Sequence, residues 1–258
     1  MRSRIVVVVA IAVAGAAVAG CSDSSAQPAT IPPTSVPSAT LPPVTVAEST
    51  TTVTPATSTS TSTATTVVAP GVVGLSADGP WKLVDSAPGV TSPGLVYELM
   101  PKLWAFLPTE ESTDDGNLFV PSPADIPIIE AYLQATLVYF RAVTTNPINL
   151  DDPGWAMYYA DGGESYFRVL RAKQADGQMV DLDLGVVVRP RVIGDERSND
   201  AAVVFDCTLD GSVWRYRDGR LAPGSTPGVI DSGFSSQLVR DGTHWISLGI
   251  GSQADACI

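Results

Sequence analysis

Asp125-Ile126-Pro127-Ile128-Ile129-Glu130-Ala131-Tyr132-Leu133-Gln134-Ala135-Thr136-Leu137-Val138-Tyr139-Phe140-Arg141 is the stretch on which the fold turns. Asp125 is a good helix N-cap, and Pro127 falls in the first turn, where its missing N–H leaves no bond unmade. Ile126, Ile129, Leu133, Leu137 and Phe140 recur at helical spacing, and Ile128, Tyr132 and Val138 add a second apolar flank. Only Glu130, Gln134 and Arg141 form a polar stripe. A helix that is apolar over most of its circumference must be enclosed by other elements, such as a curved sheet. It should stop before Asn146-Pro147, because the residue ahead of a proline avoids helical dihedrals.

Downstream, Asp152-Pro153 opens a second helix carrying Trp155, Tyr158 and Tyr159, broken by Asp161-Gly162-Gly163. Glu164 to Ala175 reads as a third helix, with Phe167 and Leu170 inward, Glu164 and Arg168 paired outward and Gly177 at C′. The period then changes from helical to alternating. Val180, Leu182 and Leu184 alternate with Asp181, Asp183 and Gly185, and Val203, Phe205 and Cys207 share one face of a strand. Asp210-Gly211, Asp218-Gly219 and Asp241-Gly242 each stand between extended runs, a strong hairpin signal. Helices followed by an antiparallel meander predict an α+β fold.

That order, the helix Pro127–Tyr132, the strand Val204–Cys207 and the C-terminal Cys257 resemble the nuclear-transport-factor-2-like (cystatin-like) superfamily. More narrowly, the layout is similar to bacterial lipoproteins with such a domain, across roughly Ser122 to Ile258. The resemblance implies N-terminal helices packed in a curved antiparallel sheet, a cone that can leave a pocket. Upstream, Trp81–Ser86 and Leu95–Leu107 are strand-like but poorly periodic and interrupted by Pro93 and Pro101. Residues 76–121 are expected as an N-terminal extension packing on a main domain at 122–258.

Residues 21–75 are rich in Thr, Ser, Pro and Ala and nearly uncharged. Such a composition cannot bury enough apolar area to offset its ordering entropy, so a disordered tether with ends about 35–40 Å apart is expected. Ahead of it, Arg2 and Arg4 introduce an apolar run that ends at Val18-Ala19-Gly20-Cys21. This is secretory-signal architecture, shorter than the roughly 20 apolar residues of a comfortable span. The ending resembles the lipobox of bacterial lipoproteins. That resemblance implies a leader at 1–20, cleavage before Cys21, a diacylglyceryl thioether on its thiol, and attachment to the outer face of the bacterial cell membrane. Two or three acyl chains, at about 0.8 kcal/mol per buried CH₂, anchor a protein stably. The alternative is a plain signal peptide with an incidental cysteine.

The 258 residues carry a formal charge of −12, which becomes −14 without Arg2 and Arg4. Such a chain lacks the clustered Lys and Arg that nucleic acid requires, and electrostatics would not hold it on anionic lipid. With Cys21 lipidated, Cys207 and Cys257 remain as a pair in an oxidising compartment, either bridged or as two buried thiols. The single histidine, His244, excludes metal sites built from several histidines. Asp114-Asp115, Asp151-Asp152 and Asp195-Glu196 lack the spacing of a calcium loop, and no metal or cofactor is expected. No phosphate loop, Gly-x-Ser-x-Gly elbow or Cys-x-x-Cys pair is present.

Enzymes of the resembled superfamily use an Asp, His or Tyr within the cone as acid or base. Here the weak catalytic candidates are Asp206, His244 and Tyr216, with Asp181 and Asp183 read as solvent-facing strand residues. Asp206 is either half-buried with a raised pKa or paired with Arg215 on an adjacent strand. Trp214, Tyr216 and Trp245 are either core or a ligand-lining wall. The leading expectation is a lipid-anchored envelope protein with a non-catalytic binding or scaffold role toward an envelope or cell-wall partner. The alternative is a pocket that binds, or acts on, a small apolar molecule.

Overall fold

The computed structural model describes residues 71–112 and 118–257. The leader, Cys21, the tether up to residue 70 and Asp114-Asp115 lie outside the described residues. Residues 71–75, assigned to the tether, end in a buried Leu75 whose N–H donates to the Tyr97 hydroxyl at 3.1 Å.

Three strands come first: β1 (Lys82–Val84), β2 (Gly94–Met100) and β3 (Leu103–Pro108). Helices α1 (Ile126–Val143), α2 (Gly154–Tyr158) and α3 (Glu164–Ala175) follow. Then come β4 (Gln178–Asp181), β5 (Val186–Val188), β6 (Pro190–Val192), β7 (Ala201–Asp210), β8 (Val213–Tyr216), β9 (Ile230–Asp241) and β10 (His244–Ser252). Eight strands form one sheet in the order β1-β2-β3-β5-β7-β9-β10, with β6 also on β7, while β4 and β8 form a separate ribbon.

This corrects the expected cone of N-terminal helices packed in a curved antiparallel sheet. The described residues form a strand-rich α+β fold, three strands precede the helices, and β3 and β5 run parallel, with Leu103 opposite Val186. The cause lies in residues 94–108. β3 is a central strand between β2 and β5, covered on both faces. Leu103, Ala105 and Leu107 enter the main core, while Phe106 joins Val96, Val187, Ala87 and Leu118 in a second core on the opposite face. A strand buried on both sides shows no apolar–polar alternation, so its period carries no strand signal.

The helices match the sequence reading more closely. Ten residues of α1 are buried, and all but Thr136 share the main core with residues of β2, β3, β5, β7 and β9. Asp125 does not cap α1 through its side chain. It accepts instead from the Ser122 N–H and hydroxyl at 2.8 and 2.6 Å and pairs with Arg197. Glu164 pairs with Arg171 at 3.7 Å rather than with Arg168. Gly177 takes φ 70°, the left-handed C′ geometry that glycine adopts without a Cβ clash.

Of the three Asp-Gly turns, Asp241-Gly242 closes the β9–β10 hairpin. Asp210-Gly211 passes the chain to β8, which pairs with β4 rather than with β7. Asp218-Gly219 closes only a short return, marked by one bridge from Arg215 to Leu221. β7 is instead flanked by β9 along its whole length, Ala201 opposite Val239 to Asp210 opposite Ile230. Its other edge pairs with β5 and β6 in one continuous register, interrupted at Arg189 ahead of Pro190.

Candidate functional site

Strand alternation sends Ala202, Val204, Asp206 and Thr208 of β7 toward α1, and all four are buried. The Asp206 carboxylate is fully enclosed. Tyr132 of α1 donates its hydroxyl to Asp206 Oδ2 at 2.7 Å. The Arg189 N–H donates to Oδ1, also at 2.7 Å. That donor is free to turn inward because the strand is broken at this point, where Pro190 brings no N–H to the ladder. Arg215 does not pair with Asp206; its Nε donates to Asp181 Oδ2 at 2.7 Å.

Desolvation by burial pushes the Asp206 carboxyl up to about 6, opposed by the bonds from Tyr132 and Arg189. Burial, reinforced by the Asp206 charge, drives the Tyr132 hydroxyl well above its ordinary value, so it stays a neutral donor. Thr136 Oγ1 and Thr208 Oγ1 lie near this pair. Both are buried, and neither makes an aligned hydrogen bond. Native interiors rarely leave such groups unmatched.

These polar groups surround a cavity of about 300 Å³. Tyr132, Thr136, Val188, Asp206 and Thr208, all buried, form its inner end. Tyr139, Phe140, Tyr166, Trp214, Phe234 and Ile250 form half-buried walls, with Asp210 and Ser212, also half-buried, and the exposed Ser252 at the rim. Tyr166 is fixed by donating its hydroxyl to the Ile250 carbonyl at 2.9 Å, and its ring packs 5.8 Å from that of Tyr139. Burial raises both phenols to about 12, so the walls are uncharged at neutral pH.

The neighbouring residue, Cys207, faces the other way. Its sulfur lies 2.17 Å from that of Cys257, at disulfide distance. Gly233, opposite Cys207, permits the approach of the C-terminal turn, because a Cβ there would sit 1.9 Å from the Gln253 carbonyl. Arg189 lies on this same face, donating from Nη2 to Asp231 Oδ1 at 2.7 Å and to Cys207 Sγ at 3.0 Å.

Among the catalytic candidates from the sequence only Asp206 lines the cavity. His244 is exposed at the start of β10 and lies along a separate open groove with Trp81 and Trp245. Tyr216 ends β8 beneath the Arg220 guanidinium, 5.0 Å from its ring centre. Asp183 is exposed beside Lys102 at 3.5 Å. Trp214 is in the cavity wall, whereas Trp245 is on β10, which pairs with β9 and not with β8.

Tyr132, Thr136 and Thr208 escaped the sequence reading. Tyr132, Thr136, Tyr139 and Phe140 lie at i, i+4, i+7 and i+8, one continuous helix face. A tyrosine followed one turn later by a threonine on an otherwise apolar helix was the signal available. Among the described residues, no three His, Cys, Asp or Glu side chains converge in a metal-binding group, and no helix is long and apolar enough to cross a membrane. No protein-family model matches the chain, and no curated protein matches it. Its function must therefore be argued from this site.

Proposed function

We propose that this chain is an extracytoplasmic protein, held on the outer face of a bacterial membrane by a lipid on Cys21, that binds a small, largely apolar molecule in the cavity between α1, α3 and the sheet. The cavity carries this reading: about 300 Å³ of space with aromatic walls and a few convergent polar groups at its inner end. That combination of apolar lining and sparse, placed polar atoms is what small-molecule sites share. The role is binding rather than turnover. Asp206 lines the inner end but already accepts from the Tyr132 hydroxyl and the Arg189 N–H, and no nucleophile is paired with it, so no base and nucleophile pair is presented to a substrate. The lipid anchor is supported by the basic start, the apolar run and the small residues before Cys21.

Ligand-observed magnetic resonance against a set of single-ring compounds tests the pocket. Hits are expected, and Ser252→Trp, which fills the rim from an exposed position, should abolish them. Hits unaffected by this change, or none at all, would sink the reading. For the anchor, labelled palmitate should enter the wild type and not Cys21→Ala.

A second reading, contact with an envelope or wall component, is favoured by the open groove along Trp81, Tyr158 and Trp245, beside a Met157 that is 60% exposed. Photocrosslinking from position 157 in native envelopes should then capture one discrete partner.

A further inference from the structure

We propose that the cavity is built for a small organic cation, an amine carried as its ammonium ion. This rests on the reading of the cavity as a ligand site and narrows its ligand class. The charges of the cavity wall are all of one sign. Asp206 lies at the inner end and Asp210 at the rim, and no Lys, Arg or His lines the cavity. Around these two carboxylates stand six aromatic rings, three of them from α1 and the others from Tyr166, Trp214 and Phe234. Ring faces attract cations, most strongly where water is excluded. A neutral apolar ligand would gain nothing from a buried carboxylate, whose desolvation is costly. An anion would meet two like charges.

The groups facing Asp206 compensate its charge only in part, by hydrogen bonds and by the more distant Arg189 guanidinium, and no salt bridge neutralises it. From α1 comes the neutral Tyr132 hydroxyl, and from the break between β5 and β6 the Arg189 N–H. Its own strand contributes Thr208 and Asp210, and β9 places Phe234 opposite. The Arg189 guanidinium shares the opposite face of β7 with Cys207 and is bonded to Asp231 there. Among the described residues no cation lies within ion-pair distance of Asp206. Lys173 comes 4.9 Å from the Trp214 ring but donates to Gln178 and does not line the cavity. The Thr136 and Thr208 hydroxyls, beside Tyr132 and Asp206 but without an aligned hydrogen bond, supply further acceptors for N–H groups. A bound ammonium would favour ionised Asp206, so affinity should fall as pH drops through about 6.

The test uses the full-length chain and three single-ring probes of matched size: 2-phenylethylammonium, 2-phenylethanol and 3-phenylpropanoate, titrated by calorimetry at pH 7.5. The ammonium should bind at least about tenfold more tightly than the alcohol, with the propanoate weakest. Asp206→Asn should bring ammonium and alcohol within about twofold of each other. Asp210→Asn, at a half-buried position where the amide oxygen can still accept the Ser212 N–H, should reduce the preference by about two- to threefold. Alcohol or propanoate binding as tightly as the ammonium would overturn the cation assignment and leave the cavity a ligand site. An ammonium preference unchanged in both variants would also overturn it. Failure of all three probes to bind would overturn the cation assignment and the pocket reading together.

Discussion

Asp206 and Cys207 are neighbours in sequence, and the two faces of β7 they occupy differ: one is cross-linked and filled, the other encloses a cavity. On the Cys207 face Cys207 lies at bonding distance from Cys257 and Arg189 is bonded to Asp231, while Arg191, stacked on Phe205, keeps one buried Nε without a hydrogen-bond partner. On the Asp206 face a carboxylate is buried without an ion pair, two hydroxyls lack aligned partners, and a cavity is left open. A chain selected for stability alone would fill such a space with aliphatic side chains. The difference separates a face that holds the fold together from one whose cost is consistent with a ligand.

The largest expected effect breaks the cross-linked face. Closing a loop with sequence separation 50 restricts the unfolded chain, so Cys207→Ala/Cys257→Ala should cost about 4 kcal/mol in urea unfolding. Probe binding should survive in the fraction that remains folded. Peptide mapping without reductant should recover both cysteines in one linked pair. Free thiols on both, or unchanged stability, would remove the contrast between the faces.

The next effect belongs to the cavity face and depends on pH. Burial raises Asp206 from 3.8 to about 6 in the folded chain. The folded state therefore holds this proton more tightly than the unfolded state. The group's contribution is complete below the unfolded value and is lost as pH rises through about 6. Between pH 4 and pH 7.5 the wild type should lose on the order of 2 kcal/mol more than Asp206→Asn does. Urea midpoints of the two proteins across that range supply the check, and parallel curves would refute it.

The smallest effect sharpens the comparison. Thr136→Val replaces a buried hydroxyl that has no aligned hydrogen bond with a methyl of the same shape. It should be neutral or stabilising by less than about 1 kcal/mol, while weakening the ammonium probe. A loss above about 2 kcal/mol would mean that the hydroxyl is structurally matched after all.

Much of the local structure was legible. Glu164–Ala175 stands where the sequence places a helix, and Asp241-Gly242 closes a hairpin. Residues 94–108 were hard to read because apolar neighbours cover both sides of β3 and erase the alternation. Asp210-Gly211 misled for another reason: a turn motif specifies a reversal but not the strand beyond it, and here β8 pairs with β4 across a gap of more than 30 residues. At the site, Asp206 was conspicuous as a charged residue in an apolar strand. Tyr132 and Thr136 were concealed by a helix whose apolar surround made them look like packing.

The sequence by itself determined where helices begin and end, which residues of β7 share a face, and that Cys207 and Cys257 were available to each other. Those properties depend on dihedral preference, on the two-residue repeat of a strand and on composition, all of which act locally. Only the tertiary structure decided that three early strands join the main sheet, that Arg215 goes to Asp181, and that Tyr132, Asp206 and two threonines meet around an open space. Such meetings depend on which surfaces cover one another once the chain collapses, and no short window of residues encodes that.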